Sequence, residues 1–424
     1  MIFFCLMGVK MSFQSMQYKH FPALSHRDFR LFWTGQCVSL IGTWMQNIGQ
    51  AWLVYQMTNS SFLLGLIITL QFTPVLLLSL PIGVIIDRYP KKKILFAVQF
   101  MMMMTSFTLA FLVFVGWVAY WNIAMLACLL GILNSIDMPV RQSFVVELAT
   151  KEHLMNAVAM NSMIFNAARV IGPSIAGVVF GYFGAAICFF LNGLSFIPVL
   201  IGISKIEAKG LAIKREKGNL LPDIKEGIMY IIKNAEVKTT VLMVAFNNAI
   251  VMNFMIMIPV MAKTVFNGDS KLYGYLMAGL GIGAFAGALI LAATSYKGLR
   301  RNTQMTAFIG VALFVLIEGF VRNYQLAFIF FIFAGFCMTT ALSLSNTTLQ
   351  LSSPDEMRGR IMSVYSLVVG GTAPIGSLYS GIMCENFGVS TTFVANGTVG
   401  LLVMVALIIY RQSLAKKQNS IGII

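Results

Sequence analysis

Long apolar runs alternate with short polar segments along the chain. Because an α-helix rises 1.5 Å per residue, about twenty apolar residues cross the hydrocarbon core of a bilayer. Runs of that length recur between charged residues or between Gly, Pro and Asn. They predict twelve transmembrane helices, spans 1 to 12, at residues 29–57, 61–86, 93–116, 119–140, 158–183, 185–203, 238–265, 270–294, 303–321, 325–348, 359–385 and 389–410.

The longest polar segment between spans covers residues 204–237, between spans 6 and 7. Near its end stand Leu221, Ile224, Ile228 and Ile231, four apolar residues at helical spacing. Such spacing places apolar side chains on one helix face. We therefore expect an amphipathic helix that lies on the inner membrane surface.

The two halves of the chain resemble each other. Gly65 and Gly274 each follow a polar turn into a span, 209 positions apart, and the Phe-Gly pairs at Gly184 and Gly388 lie 204 positions apart. Internal repeats of this kind mark the two halves of many transporters. The predicted order is a tail at 1–28, a six-helix bundle at 29–203, a linker at 204–237, a second six-helix bundle at 238–411 and a tail at 412–424.

Positive charge gathers on one side of the predicted membrane. Of the 30 Lys and Arg residues, all but Arg169, Lys263, Lys271 and Arg322 lie in the tails, the linker or the loops of that side. Loops rich in Lys and Arg stay in the cytoplasm. Both termini are therefore predicted to be cytoplasmic.

Composition excludes several classes of protein. Of 424 residues, 58% are hydrophobic and 11% are charged, which is outside the range of soluble domains. The net charge of +15 is spread over short loops, as expected beside anionic lipid. We therefore expect a multi-pass protein of the plasma membrane or a bacterial inner membrane, and no nucleic-acid partner.

The cysteines are Cys5, Cys37, Cys128, Cys188, Cys337 and Cys384. Their spacing predicts neither a metal site nor a disulfide framework.

Four motifs carry a family resemblance. The charged loop at the end of span 2, with Gly83, Asp87, Arg88, Lys91, Lys92 and Lys93, resembles the corresponding loop of the major facilitator superfamily. Three further motifs follow in order: residues 137–143 with Asp137 and Arg141, residues 154–161, and residues 166–177 with Asn166, Arg169, Gly172, Pro173 and Gly177. Together these three resemble the branch of the superfamily that contains the enterobactin exporter and macrolide efflux pumps. The resemblance covers about residues 29–411 and implies an all-α transporter of small molecules.

The resemblance implies a latch in the loop after span 2. It places Asp87 against the amino-terminal end of span 11, where Arg358 and Arg360 stand. An acid aimed at a helix N-terminus is stabilised by about 0.3–1 kcal/mol. The alternative is a stop-transfer and topology signal, for which Lys91, Lys92 and Lys93 are sufficient.

Asp137 and Arg141 flank Pro139 at the inner end of span 4. A charge at this depth is costly unless it is paired. We expect the two side chains to join Arg88 or Lys92 in one network. Its role is either gating or purely structural.

Arg169 falls near the middle of span 5, about 20 Å from either end at 1.5 Å per residue. An ionisable residue inside a membrane is a functional-site hypothesis by default. With Asn166 on the same face, Arg169 either anchors an anionic or chelating substrate or ties helices together. Gly172, Pro173 and Gly177 are expected to form a helix-packing motif.

Uncharged polar side chains mark the expected substrate pathway. They recur at helical spacing on spans 1 and 10 and cluster on span 7, and the family resemblance places these spans around the pathway. The predicted residues are Thr43, Gln46, Gln50, Asn247, Asn248, Ser343 and Asn346. Amides suit a broad, amphipathic substrate, while hydrogen bonds between packed helices are the alternative.

Energy coupling has no clear carrier in the predicted pathway, and Glu147 and Asp137, both near the inner mouth, are the remaining candidates. None of the fifteen acidic residues falls in the middle of spans 1, 4, 7 or 10. Glu318 lies on span 9, where we expect it to be peripheral and paired with Arg322 four residues on. Protons as the coupling ion are therefore implied by the family resemblance alone.

The sequence thus favours a monomeric secondary transporter that exports a small amphipathic compound, drug-like or siderophore-like, by alternating access. Uptake of a nutrient or metal chelate through the same fold is the alternative. A membrane enzyme, scaffold or sensor is disfavoured, because no phosphate loop, metal cluster or nucleophile with a base is recognisable. We expect no nucleotide and no cofactor besides the proton.

Overall fold

The computed structural model of the chain describes residues 21–86, 89–207, 220–294 and 301–421. These residues are almost entirely helical and include no strand. We number the α-helices α1 Arg27–Thr58, α2 Ser61–Ile86, α3 Lys91–Val115, α4 Tyr120–Leu148, α5 Leu154–Lys205, α6 Leu220–Lys233, α7 Ala235–Phe246, α8 Phe254–Thr264, α9 Ser270–Thr294, α10 Arg301–Glu318, α11 Tyr324–Leu351, α12 Asp355–Phe387 and α13 Val389–Ile421. A turn of π-helix, Asn247–Val251, joins α7 to α8.

The length and composition of the helices suit a membrane. Nine segments of the described chain are long and apolar enough to cross one, in α2, α3, α4, the second part of α5, α7 with α8, α9, α11, α12 and α13. α10 is apolar but short, and α1 carries several amide side chains, such as Gln46 and Gln50, that lower its mean hydropathy. The count of twelve spans therefore stays a prediction.

Two glycines in the repeated Phe-Gly pairs reverse the chain between helices. Gly184 has φ 79° and interrupts α5 at the predicted boundary of spans 5 and 6. Gly388 has φ 79° as well and ends α12. Side chains disfavour this left-handed region, which glycine adopts at little cost. The internal repeat is therefore visible in the backbone as well as in the sequence.

The principal helix contacts follow the same repeat. In the amino-terminal half, α1 packs along α5, α2 along α4, and α3 against α4 and α5. In the carboxyl-terminal half, α9 packs along α11, and α10 packs against α11 and α13. Two large contacts join the halves, α2 with α12 and α5 with α9. The bundle boundaries at residues 203 and 238 stay predictions.

Charged contacts distinguish the two ends of the molecule. At one end, which we term the basic end, Arg27 bonds Glu207 at 2.6 Å and Lys92 bonds the carbonyl of Ser204 at 3.2 Å. At the other, which we term the far end, Lys263 meets the turn between α1 and α2. The basic end is the one that the loop charges predict to face the cytoplasm.

Small residues let the two halves approach closely. A Cβ atom on Gly177 of α5 would collide with the backbone of Gly274 in α9. Gly172, five residues earlier in α5, allows a close contact within the amino-terminal half, where an added Cβ would collide with the Cβ of Trp44 in α1. Pro173 follows Gly172 directly in the chain, so the predicted packing motif lies where α5 meets both α1 and α9.

The linker contains the expected helix, α6, and the helix packs on the carboxyl-terminal half. A Cβ on Gly227 would lie 3.0 Å from the carbonyl oxygen of Arg360 in α12, and Ile231 is buried. Ile228 stays exposed on another face. One side of α6 is thus covered by protein, and contact of the exposed side with lipid stays a prediction.

We expect Gly283→Ala to destabilise the carboxyl-terminal half. A Cβ at this position would collide with the backbone of Ile332 in α11, and overpacking of this kind typically costs about 1–3 kcal/mol. The thermal midpoint in detergent should fall. Gly359→Ala in α12 is the matched control, because nothing lies within 4 Å of its added methyl group. Equal midpoints for the two variants would contradict the close crossing of α9 and α11.

Candidate functional site

A cavity of about 210 Å³ lies between the two halves. Its polar lining consists of Asn47, Gln50, Gln71, Asn248, Asn253, Thr339 and Ser377. Its apolar lining includes Trp44, Phe72, Met252, Phe254, Met255, Met277 and Met338. Six α-helices and the π-turn contribute, from both halves, so the cavity exists only where the halves meet.

Three amide side chains form a chain of hydrogen bonds along the amino-terminal wall. Gln71 Nε2 donates to Asn47 Oδ1 at 3.2 Å, and Gln50 Nε2 donates to Gln71 Oε1 at 3.5 Å. The chain ties α1 to α2 through groups that can also bond a ligand. The wall therefore offers donors and acceptors without net charge.

The opposite wall is built on a break in span 7. The sequence predicts an uninterrupted helix at 238–265, yet the backbone widens into a π-turn at Asn247–Val251 and restarts at Phe254. Asn248 Nδ2 donates to the carbonyl of Val369 at 3.0 Å and to Thr372 Oγ1 at 2.8 Å. Asn253 Nδ2 donates to two carbonyls of the broken turn. The amide-rich segment at 247–253 was the available signal of this break, since π-turns often occur at functional sites.

The cavity is suited to an uncharged or weakly polar surface. Among the described residues that line it, none carries a charge. Methionine is polarisable and adapts to irregular shapes, and the aromatic rings offer flat apolar contact. The described residues also contain no group of three or more His, Cys, Asp or Glu that could hold a metal ion.

Only some of the predicted pathway residues face this cavity. Gln50 and Asn248 line it. Gln46 does not, because it is buried against α5 and accepts a hydrogen bond from Asn192 Nδ2 at 2.7 Å. Asn247 is also turned away, fully buried, with its amide donating to the carbonyl of Met243 at 2.9 Å. In this structure both side chains are bonded within the helix packing, and their place on the substrate pathway stays a prediction.

The other predicted pathway residues lie outside the cavity lining or outside the described side chains. Thr43 bonds the carbonyl of Ser39 within α1. Ser343 and Asn346 lie one and two turns from Thr339 along α11, toward the basic end, and Asn346 accepts a bond from Gln350. Asn166 and Arg169 belong to α5, but their side chains are outside the described part of the structure.

A buried cluster of charges lies at the basic end of the amino-terminal half. Asp137 and Arg141 form an ion pair one helical turn apart in α4, and Gln99 of α3 donates to Asp137 Oδ1 at 2.6 Å. Lys92 does not join them, since its ammonium bonds carbonyls at the end of α5. Among the residues that the structure describes, the third member of the network is Gln99, whereas Arg88, the other predicted partner, lies outside them.

A second ion pair in this region was not predicted. Lys91 of α3 is buried and pairs with Glu147 of α4. A buried lysine needs such a partner, because an isolated buried ammonium is costly. The family resemblance includes Lys91 among the charged residues of the loop, whereas the structure shows that Lys91 joins α3 to α4 through Glu147.

The proposed latch after span 2 is only partly visible. Gly83 lies in α2, while Asp87 and Arg88 lie outside the described residues. On the other helix of the latch, Arg358 Nε donates to the carbonyl of Gln350 at 2.9 Å, and Arg360 pairs with Glu226 of the linker helix α6. Arg360 therefore anchors α6.

Glu318 differs most from expectation. It is fully buried, and neither carboxylate oxygen has a hydrogen-bond partner in the described structure. Arg322 is directed elsewhere, to the carbonyls of Gly319 and Val321 and to Ser390 Oγ. The predicted peripheral pair is thus wrong, because α10 ends at Glu318 and the helical spacing to Arg322 is lost.

The cavity is closed toward the far end. The rings of Trp52 and Tyr273 stack across the two halves with centroids 5.3 Å apart, and Lys271 lies 5.1 Å over the ring of Tyr182. At the middle of the interface, Thr69 Oγ1 donates to the carbonyl of Pro374 at 3.1 Å. The hydrogen bonds and ring contacts between the halves in the described residues lie from this level to the far end.

Known proteins match almost the whole chain. The family model described as a transmembrane secretion effector matches residues 19–421. The staphyloferrin A transporter of Staphylococcus aureus is 26% identical over 374 residues, which are 86% of this chain and 91% of that protein. Macrolide efflux protein A of Streptococcus pyogenes is 21% identical over 390 residues, which are 90% and 94% of the two chains.

A solved structure has the same fold. The D-xylose-proton symporter superposes with a TM-score of 0.70 at 12% identity, over 92% of this chain and 97% of that one. At this identity the likeness concerns the arrangement of helices alone. It identifies the two-half helical architecture as one that membrane transporters use.

We expect Asp137→Asn to destabilise the fold by about 3 kcal/mol, because it leaves the buried Arg141 without its counter-charge. Replacing both residues, in Asp137→Leu with Arg141→Met, should recover much of the loss. Thermal unfolding in detergent measures both effects.

The control for this prediction is Glu207→Gln, which breaks the exposed pair with Arg27 and should cost less than about 1 kcal/mol. Wild-type stability of Asp137→Asn would contradict a structural role for the buried pair and would favour gating.

Proposed function

Since the chain belongs to the transmembrane secretion effector family of major facilitator transporters, we propose that it exports a small amphipathic compound by alternating access. It is a multi-span membrane transporter and not an enzyme, as the family model and the relatives establish. The observation that carries the transport proposal is the amide- and methionine-lined cavity between the halves. A cavity in that position can face one side of the membrane and then the other when the halves rock.

The cavity favours an amphipathic substrate. Small-molecule sites typically span roughly 300–1,000 Å³, so a cavity of about 210 Å³ holds a small compound or one portion of a larger one. Amides such as Gln71 and Asn248 bond polar groups, and methionines such as Met277 pack against apolar ones. The lining suits neutral portions of a drug-like or siderophore-like molecule better than a strongly charged group.

The proposed direction rests on the family description and on the relatives. The family is described as a secretion effector, and one relative is named as a macrolide efflux protein. The staphyloferrin A transporter adds a siderophore to the compounds that relatives handle. We therefore propose outward transport, with drugs and siderophores as the first compounds to test.

The coupling ion in this proposal is the proton, and Glu318 is our candidate carrier. An isolated carboxylate in an apolar interior is strongly disfavoured, so such a group holds a proton while it stays buried. Gly319, the next residue, packs against Ser390 and Val394 of α13 at the far end. Movement of α13 away from α10 would expose Glu318 to water and let it release or take up a proton.

Transport in inside-out membrane vesicles tests the proposal directly. With a proton gradient imposed, the wild-type chain should accumulate a macrolide or a siderophore inside the vesicle, which corresponds to export from a cell. The matched sample is vesicles without the chain. Movement of substrate only toward the cytoplasmic side would overturn export in favour of uptake.

We expect Thr339→Phe to abolish transport, because the ring would fill the cavity. The matched control is Thr347→Phe, the same change two turns along α11 at an exposed position that is not part of the cavity lining. The control should retain at least half of wild-type transport. Equal activity of the two variants would show that substrate does not pass through this cavity.

We expect Glu318→Gln to uncouple transport from protons. The amide mimics the protonated acid in shape and charge, so exchange of substrate down its own gradient should persist, while proton-driven accumulation should fall at least tenfold. Glu207→Gln, at an exposed position of the basic end, should leave both rates unchanged. Proton-driven accumulation at the wild-type level in Glu318→Gln would exclude Glu318 as the carrier.

A further inference from the structure

Glu385 forms a hydrogen-bonded contact between the two halves at the far end. It lies in the last turn of α12, and its Oε2 accepts a bond from the backbone N–H of Ser61 at 2.7 Å and from that of Phe62 at 3.3 Å. Ser61 and Phe62 are the first two residues of α2. The carboxylate of one half thus caps a helix of the other half, 324 residues away in sequence.

The first N–H groups of α2 can be accounted for completely. Such groups have no partner inside their own helix and need one from elsewhere. Leu63 bonds Ser60 Oγ at 3.2 Å and Leu64 bonds the carbonyl of Ser60 at 3.2 Å, both within the amino-terminal half. Ser61 and Phe62 depend on Glu385. Half of the cap therefore disappears when the halves separate at this end.

The backbones of α2 and α12 meet immediately below the cap. A Cβ on Gly65 would lie 2.5 Å from the carbonyl oxygen of Ser377, and one on Gly381 would lie 2.7 Å from that of Ser61. The two helices are antiparallel, because Gly381 meets Ser61 at the start of α2, whereas Gly371, ten residues earlier in α12, meets Leu76, fifteen residues further along α2. The cap stands at the far-end limit of this seam, where any separation of the halves must first break it.

A cation strengthens the same end of the interface. Lys263, at the end of α8, donates to Asn59 Oδ1 at 2.6 Å and lies 5.4 Å over the ring of Tyr55. Asn59 belongs to the turn that leads into α2. The amino-terminal end of α2 is thus held from the carboxyl-terminal half by an anion on its N–H groups and by a cation on the preceding turn.

We propose that Glu385 is a far-end latch, which caps α2 while the cavity is closed toward the far end and releases α2 when it opens. A negative charge near a helix N-terminus is favoured by the helix dipole, and the hydrogen bonds fix its position. The latch rests on the alternating access proposed above. It stabilises one state of the cycle and touches no substrate.

The latch has a predicted counterpart at the other end of the same helix pair. The family resemblance places Asp87, just after α2, against the first turn of α12, although Asp87 itself lies outside the described residues. In an antiparallel pair, each helix then carries an acid that caps its partner. Rocking of the halves opens one end as it closes the other, so the two caps alternate through the cycle.

The test measures the populations of open and closed far ends in the purified chain without substrate. Spin labels at Trp117 and Phe320, which are exposed at the far end of the two halves, report the distance in a chain whose native cysteines are changed to alanine. Glu385→Ala should raise the ratio of open to closed far ends about two- to fivefold. Glu385→Gln keeps an acceptor oxygen without charge and should give a smaller increase.

Asn234→Ala is the matched control. Asn234 Oδ1 caps α7 by accepting bonds from the backbone N–H groups of Glu236 and Val237, both at 3.1 Å, so this cap does not bridge the halves. Its loss should leave the open fraction unchanged. An unchanged distance distribution in both Glu385 variants, or an equal change in Asn234→Ala, would overturn the latch.

The same measurement separates this inference from the proposed function. It needs no substrate, no proton gradient and no direction of transport. A shift in Glu385→Ala in a chain that exports none of the tested compounds would leave the latch standing and the export proposal refuted. Proton-driven export by the wild-type chain, with no shift in either Glu385 variant, would support the export proposal and refute the latch.

Discussion

The scarcity of water between membrane helices is the constraint on which this molecule depends. Within the hydrocarbon, each backbone N–H and carbonyl must find a partner inside the protein, which favours continuous helices. The exceptions are helix ends and breaks. Asn234 and Asn323 cap the starts of α7 and α11 from their own turns, whereas the start of α2 borrows Glu385 from the other half. Caps from the same half persist when the halves rock, whereas in the proposed cycle the cap from Glu385 is lost.

The cavity follows from the same constraint. A break in a membrane helix is tolerated where it is buried in protein or lines a cavity. The π-turn at Asn247–Val251 meets this condition, because Asn248 bonds α12 while Asn253 returns hydrogen bonds to the carbonyls of the broken turn. The irregular backbone and the polar lining therefore have one cause. Asn248 and Asn253 both stabilise the break and present polar atoms to the space beside it.

Sequence patterns predicted where the helices and turns lie better than which residues face each other between helices. Apolar runs and the Phe-Gly pairs placed the turns at Gly184 and Gly388 correctly, since both depend on local chemistry. The row of polar side chains on α1, in contrast, does not reveal whether each one faces another helix or the cavity. Gln46 and Gln50 are one turn apart, yet Gln46 meets Asn192 in a span that reads as apolar, and Gln50 meets the cavity. The bonds from Glu385 to α2 were equally invisible, because their partners are 324 residues apart.

The type of contact at the far end also suits a cycle that must run in both directions. A buried ion pair such as Asp137 with Arg141 is costly to break, by about 3–5 kcal/mol when one partner is lost, because a charge stays behind in the interior. A carboxylate on a helix N-terminus contributes only about 0.3–1 kcal/mol. When the carboxylate and the helix separate, one exposed anion and two backbone N–H groups remain, and water can bond all of them. The strong pair lies buried within a single helix, α4, and does not bridge the halves. Between the halves lie Glu385 on backbone amides and Lys263 on uncharged oxygens, contacts weak enough for substrate or proton binding to reverse.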